Sequence, residues 1–202
     1  MRLGIFGGTF DPIHYGHLVL AEQCREQCQL DEVWFVPAAQ PPHKLTASIS
    51  TAKARCEMIQ FAIAGHSAFR LSPIELERTG PSFTVTTLDQ LKSENPSRGL
   101  FLLIGADSLR DFPHWREPAR ILQQATIVAV NRGDRPLPDR TAIRTVCGDL
   151  ADTQIISATM PAIDLSATDI RSRVSQKKSI RYLVPRAVEA YIQEPGLYVP
   201  RS

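Results

Sequence analysis

The chain has 202 residues, of which 43% are hydrophobic and 22% charged, with a formal net charge of +2. That is globular composition, long enough for one domain with a large core. No apolar run approaches the ~18 residues of a membrane helix, and so small a charge gives no argument for a nucleic-acid or membrane-surface partner.

The first residues lack the basic region, apolar stretch and cleavage site of a signal peptide, so a cytoplasmic protein is expected. Without export, Cys24, Cys28, Cys56 and Cys147 form no disulfide framework. Cys24 and Cys28 are one helical turn apart, but no matching ligand pair follows, so buried thiols fit better than zinc.

In chain order, residues 1–6 form a short apolar run of strand formers, stopped by Gly7 and Gly8. Thr9, Phe10, Asp11 and Pro12 lead to His14, Tyr15, Gly16 and His17, and a helix begins there. A second strand spans 31–37 and closes on Pro37. Strand, helix and strand within about forty residues make a βαβ unit with a parallel pairing and right-handed crossover. A loop over 38–50 carries Pro41, Pro42, His43 and Lys44. Residues 51–64 read as a helix with Met58, Ile59, Ala62 and Ile63 on one face. Residues 69–76 are extended and broken by Pro73. After the Gly80–Pro81–Ser82 turn, 83–91 is helical, with Ser82 as N-cap.

The continuous apolar run 100–104 suits a central parallel strand. Gly105, Ala106 and Asp107 end it, and a short helix follows. Residues 112–115 form a loop holding Trp115; 117–122 are a short helix with Pro118 near its start. A further buried strand covers 126–130, then a loop over 131–139. Residues 154–156 and 162–165 are short extended pieces. Ser166 and Asp169 have capping-box spacing, which predicts a helix over 167–175. Pro185 opens a last helix over 186–193, stopped by Pro195 and Gly196. This alternation predicts an α/β fold, a doubly wound and mostly parallel sheet with its ligand at the carboxyl ends of the strands.

The chemistry concentrates at Gly7–His17. Paired glycines let backbone approach a ligand, and a helix start offers unpaired N–H groups to an anion. His14 and His17, spaced i and i+3, can face one ligand. No Walker-type loop, dinucleotide-binding glycine fingerprint or covalent-nucleophile pattern occurs. Lys44 can reach a phosphate or stand solvated. Asp107 can accept ribose hydroxyls or cap the next helix. Trp115 can stack on a flat ring or fill the core. Arg171, with Ser166 and Thr168 at a helix start, can form a second phosphate site or lie exposed.

His14-Tyr15-Gly16-His17 resembles the (T/H)xGH signature of the nucleotidyltransferase superfamily, and Ser166 to Arg171 resembles its SSTxxR signature. Pro41 to Lys44, Glu77 to Leu88, Gly105 to Trp115, Tyr182 to Pro185 and Tyr191-Ile192 narrow the resemblance to the bacterial nicotinate-nucleotide adenylyltransferases. The resemblance implies a Rossmann-like fold in a single domain over 1–202, with a C-terminal helical segment from about 166 packed on the core. It implies adenylyl transfer from ATP to nicotinate mononucleotide, with Mg²⁺ accompanying ATP and no protein side chain as metal ligand. His14, His17, Lys44 and Arg171 would then be the catalytic groups. Gly7, Gly8, Thr9, Gly105, Asp107, Ser166 and Thr168 would bind ATP, Asp107 through a ribose. Phe83, Thr84 and Trp115 would bind the mononucleotide, by backbone amides for its carboxylate and by stacking for its ring. Nucleic acid and membrane are not expected partners; a homo-oligomer is left open. The same chemistry on nicotinamide mononucleotide or phosphopantetheine, and a non-catalytic nucleotide-binding module, are the alternatives. Two departures from the family pattern stand out: Ala167 replaces a serine, and Phe83 stands where tyrosine is common.

Overall fold

The computed structural model describes residues 1–39, 49–78, 80–133 and 137–199. Lys44, together with the rest of 40–48, lies outside the described residues.

Among the described residues six strands form one sheet in which every pairing is parallel. They are β1 (Arg2–Gly8), β2 (Glu32–Pro37), β3 (Phe69–Leu71), β4 (Gly99–Gly105), β5 (Ala125–Arg132) and β6 (Ile155–Met160), in the order β3-β2-β1-β4-β5-β6. Side chains alternate between the two faces, as a strand's period of two requires. On β4, Phe101 and Leu103 join one core and Leu100, Leu102 and Ile104 the other; on β5, Val128 and Val130 face opposite to Ile127 and Ala129. Both faces are apolar because both are covered, which is why the central strands read as unbroken hydrophobic runs.

The first core is closed by α1 (Tyr15–Gln27), α2 (Ala52–Ile63), α8 (Ala167–Ser175) and α9 (Arg186–Gln193), through Leu20, Met58, Ile170 and Val188 among others. The second is closed by α3 (Thr84–Glu94), α4 (Ala106–Asp111), α5 (Pro118–Gln124), α6 (Thr141–Cys147) and α7 (Leu150–Thr153), through Leu88, Leu109, Ile121, Ile143 and Ala151. The sheet is thus doubly wound. Its order reverses between β1 and β4, and a crevice opens at the carboxyl ends of those two strands. Among the described residues no helix is long and apolar enough to cross a membrane.

Local differences from the sequence expectation have identifiable causes. Residues 162–165 form no strand; the strand at this edge of the sheet is β6, paired to β5 from Ile127–Ile155 to Arg132–Met160. Its mixed burial, with Ile156 and Ser157 exposed, weakened the apolar signal over its length. Ser82 does not cap α3. Its hydroxyl donates instead to the Glu75 carbonyl at 3.3 Å, and Phe83 occupies the cap position. The expected loop 112–115 contains a 3-10 turn over Phe112–His114. α6 and α7 are only 7 and 4 residues long, too short to display a helical period, and had no sequence counterpart.

Ile127 sits in a strand flanked on both sides and is 0% exposed. Ile127→Ala removes buried methylenes and leaves a cavity, so urea unfolding is expected to show a loss of about 2–5 kcal/mol. A loss below about 1 kcal/mol would mean that the site collapses around the smaller side chain.

Candidate active site

β1 ends at Gly8, and the chain turns through Thr9–Ile13 into α1. His14 is the N-cap residue of α1, in extended conformation and only 4% exposed. Its backbone N–H donates to His17 Nδ1 at 3.2 Å. With Nδ1 accepting, the His17 ring proton sits on Nε2. The two imidazoles stack with centroids 3.7 Å apart and planes 22° from parallel. Phe6 and Phe10 pack on the His17 ring at 5.9 and 5.1 Å and restrict it further. Gly16 suits this arrangement: a Cβ there would lie 3.1 Å from two His14 ring atoms, so the ring would have to give by a few tenths of an ångström.

The turn is held from beneath. Arg55, on α2 and 2% exposed, donates to the carbonyls of Thr9 (3.0 Å), Ala38 (2.8 Å) and Ser50 (3.2 Å). Burial pushes its pKa down, and the nearby Asp11 charge opposes that shift. Asp11, 3% exposed, accepts from the Ser50 N–H at 3.2 Å and from the Tyr198 hydroxyl at 2.6 Å. Burial raises the Tyr198 pKa, and the hydrogen bond to Asp11 adds to the rise. Asp11, Arg55 and Tyr198 were not singled out from the sequence. Asp11 lay inside a motif dominated by its histidines, Arg55 has the spacing of any helix arginine, and Tyr198 stands 187 residues from its partner.

α8 begins beside α1. Ser166 caps it, its Oγ accepting from the Asp169 N–H at 3.1 Å as the capping-box spacing implied. Arg171 donates to Thr168 Oγ1 at 3.3 Å and, across the chain, to the Asp11 carbonyl at 2.7 Å. Leu165 Cβ would be 3.7 Å from a Cβ on Gly16. The two helix starts that the sequence marks as anion sites are therefore neighbours, and Arg171 bridges them.

On the other side of the switch point a cleft of about 720 Å³ opens. Gly7, Gly8 and Thr9 from β1, Gly105 from β4, Phe83 and Thr84 from the start of α3, and Trp115 all line it. A Cβ on Gly7 or Gly105 would meet nothing within 4 Å, so the floor of the cleft leaves room for a ligand. Trp115 packs edge-on against Phe112, with centroids 5.5 Å apart. Glu75, Asp111, His114 and Arg116 also stand in the wall and were not picked out from the sequence. Asp107 is not in the wall: its carboxylate, 94% exposed, pairs with Arg110 at 3.0 Å. His14 and His17 stand beside the cleft, in the first turn of α1, rather than in its wall.

The model of the cytidylyltransferase-like family matches residues 5–173. Proteins named probable nicotinate-nucleotide adenylyltransferase are similar over nearly the whole chain. One from Thermus thermophilus is 44% identical, with 98% of this chain and 100% of the relative covered; that of Bacillus pumilus is 41% identical, with 98% of each covered. The chain belongs to the cytidylyltransferase-like family and, within it, to the nicotinate-nucleotide adenylyltransferases. Solved structures of Plasmodium falciparum nicotinic acid mononucleotide adenylyltransferase share the fold. One, complexed with NaAD, has a TM-score of 0.79 at 20% identity and covers 98% of this chain and 97% of its own. Another, complexed with APC, has a TM-score of 0.77 at 19% identity, covering 98% and 96%.

Two outcomes are expected. Tyr198→Phe leaves the buried Asp11 Oδ1 without its hydroxyl donor, so denaturant unfolding should show a loss of about 1–3 kcal/mol; an unchanged midpoint would mean that the bond contributes nothing. Glu75, whose Oε1 accepts from Thr87 at 2.8 Å, has its pKa raised from 4.5 by burial, against the hydrogen bond and the Arg78 charge. A raised folded-state pKa favours the protonated form, so this group's contribution is full at low pH and lost as pH rises through the folded value. Glu75→Gln does not titrate. Its Tm relative to the parent chain should therefore move in favour of the variant from pH 4.5 upward, and a pH-independent difference would contradict this.

Proposed function

We propose that the chain transfers the adenylyl group of ATP to nicotinate mononucleotide, giving deamido-NAD and pyrophosphate in NAD biosynthesis. One observation carries the reading. Two stacked histidines at the start of α1 are bridged through Asp11 and Arg171 to a second helix start, and the turn that leads into them, at Gly8 and Thr9, lines a cleft with an aromatic wall. The names of relatives at 41–44% identity support it.

The acceptor's phosphate is itself a nucleophile, so the enzyme has to align two phosphates in line and stabilise the charge that shifts to the leaving pyrophosphate. His17 presents Nε2–H and His14 fixes its plane. The imidazoles, stacked 3.7 Å apart, are held as hydrogen-bonding groups at the helix start. Arg171 adds a fixed charge, and the amides of α8 after Ser166 face the same anion. Lys44 would add a second cation to the triphosphate. The absence of a hydroxyl at Ala167 leaves that position to backbone N–H donors. Trp115 stacks on the pyridine ring, the first amides of α3 at Phe83 and Thr84 receive its carboxylate, and Asp107 takes a ribose hydroxyl.

A divalent metal is generally used with ATP by nucleotidyltransferases of this kind, and Mg²⁺ is the ion expected here. Bound with ATP, it would neutralise charge on the triphosphate. Among the described residues no three His, Cys, Asp or Glu side chains cluster into a metal site.

Pyrophosphate release from ATP and nicotinate mononucleotide tests the reading. His17→Ala removes a donor aimed at developing charge and should lower kcat by about 10²–10³. A variant within about tenfold of the parent, roughly 1.4 kcal/mol in the barrier, would contradict it.

A further inference from the structure

Arg116 follows Trp115 in the wall of the cleft, and its guanidinium carbon lies 4.7 Å from the centroid of the Phe83 ring. Phe83 is the cap residue of α3, so this contact brings a fixed positive charge to the helix start whose free amides already favour an anion. The side chain's ion-pair partner is its neighbour Glu117, at 3.6 Å, with the two side chains 58% and 43% exposed. Such a pair holds its members weakly, whereas a guanidinium over an aromatic face keeps a defined position. Among the described residues the other charged or titratable groups of the wall are Glu75, Asp111 and His114. Glu75 is biased by burial toward its neutral form, which leaves less negative charge opposite an incoming anion.

We propose that Arg116 is a specificity-determining residue: held over Phe83, its guanidinium faces the carboxylate of an acceptor ring stacked on Trp115 and favours the acid over its amide. This rests on the reading of the acceptor given above. Arg116 does not touch the transferred phosphorus, so its effect belongs in acceptor binding.

The test compares nicotinate and nicotinamide mononucleotide with the full chain, ATP and Mg²⁺, measuring kcat and KM separately. Arg116→Gln keeps size and polarity but removes the charge; Arg116→Lys keeps the charge. The acid-to-amide ratio of kcat/KM should fall about tenfold in the glutamine variant, through KM for the acid. The lysine variant should recover most of it. Raising ionic strength should lower the ratio in the parent and leave it flat in the glutamine variant. A ratio unaltered by Arg116→Gln, or both substrates weakened equally, would overturn the proposal. Calorimetric binding of the two mononucleotides separates this from the reaction itself. A parent that binds the acid in preference, loses that preference in the glutamine variant and yet forms no dinucleotide would refute the reaction and uphold Arg116. A parent that binds both forms alike would refute Arg116.

Discussion

Arg55 reaches from α2 into the end of the sheet and donates to three carbonyls on separate stretches of chain, those of Thr9, Ala38 and Ser50. A buried guanidinium is tolerated only when its donors are taken up and an opposite charge is near. Here the carbonyls take the donors, and Asp11 supplies the charge. The result is a turn after β1 that cannot drift from the end of β2. Asp11 extends the network to Ser50, to Tyr198 near the far end of the chain and, through its carbonyl, to Arg171. Arg171 and the turn that leads to the histidines are thereby positioned by Arg55, Asp11 and Tyr198, side chains that have no phosphate contact in the proposed reaction. Removing Arg55 would strand three carbonyls and Asp11 together, a loss larger than that of any single bond.

The switch between β1 and β4 divides the labour. α1 and α8 pack on one face of the sheet and bring His14, His17, Ser166 and Arg171 to its carboxyl end. α3 packs on the other face and brings Phe83 and Thr84. The cleft runs between them over Gly7 and Gly105. A donor triphosphate and an acceptor ring can thus be held by different halves of the molecule, with their reacting phosphates meeting above the switch. Alignment of that kind supplies much of the rate when the attacking group is already a good nucleophile.

The sheet's central strands were legible because burial on both faces makes them uniformly apolar, and the helix at Ala167–Ser175 because its cap signal, Ser166 and Asp169, is two residues three positions apart. β6 and the helices after β5 were less so, since an edge strand exposes part of its length and a one- or two-turn helix shows no period. At the site, motifs spoke for residues adjacent in sequence: the stacked histidines, the capped α8 start and the glycines of the cleft floor. Sequence could not show that Arg171 grips the Asp11 backbone carbonyl or that Tyr198 closes on the Asp11 carboxylate, because those contacts span 160 and 187 residues. Ser82 shows the limit of a local rule. A good cap residue was drawn instead to the Glu75 carbonyl by tertiary packing.

The central claim is that the α-phosphorus of ATP is transferred to the phosphate of nicotinate mononucleotide at this switch point. The most direct measurement supplies ATP labelled at the α-phosphorus and follows the label. Its appearance in deamido-NAD, with one unlabelled pyrophosphate released per dinucleotide, is the expected result. Label recovered only in AMP, or retained in ATP with no dinucleotide formed, would contradict it.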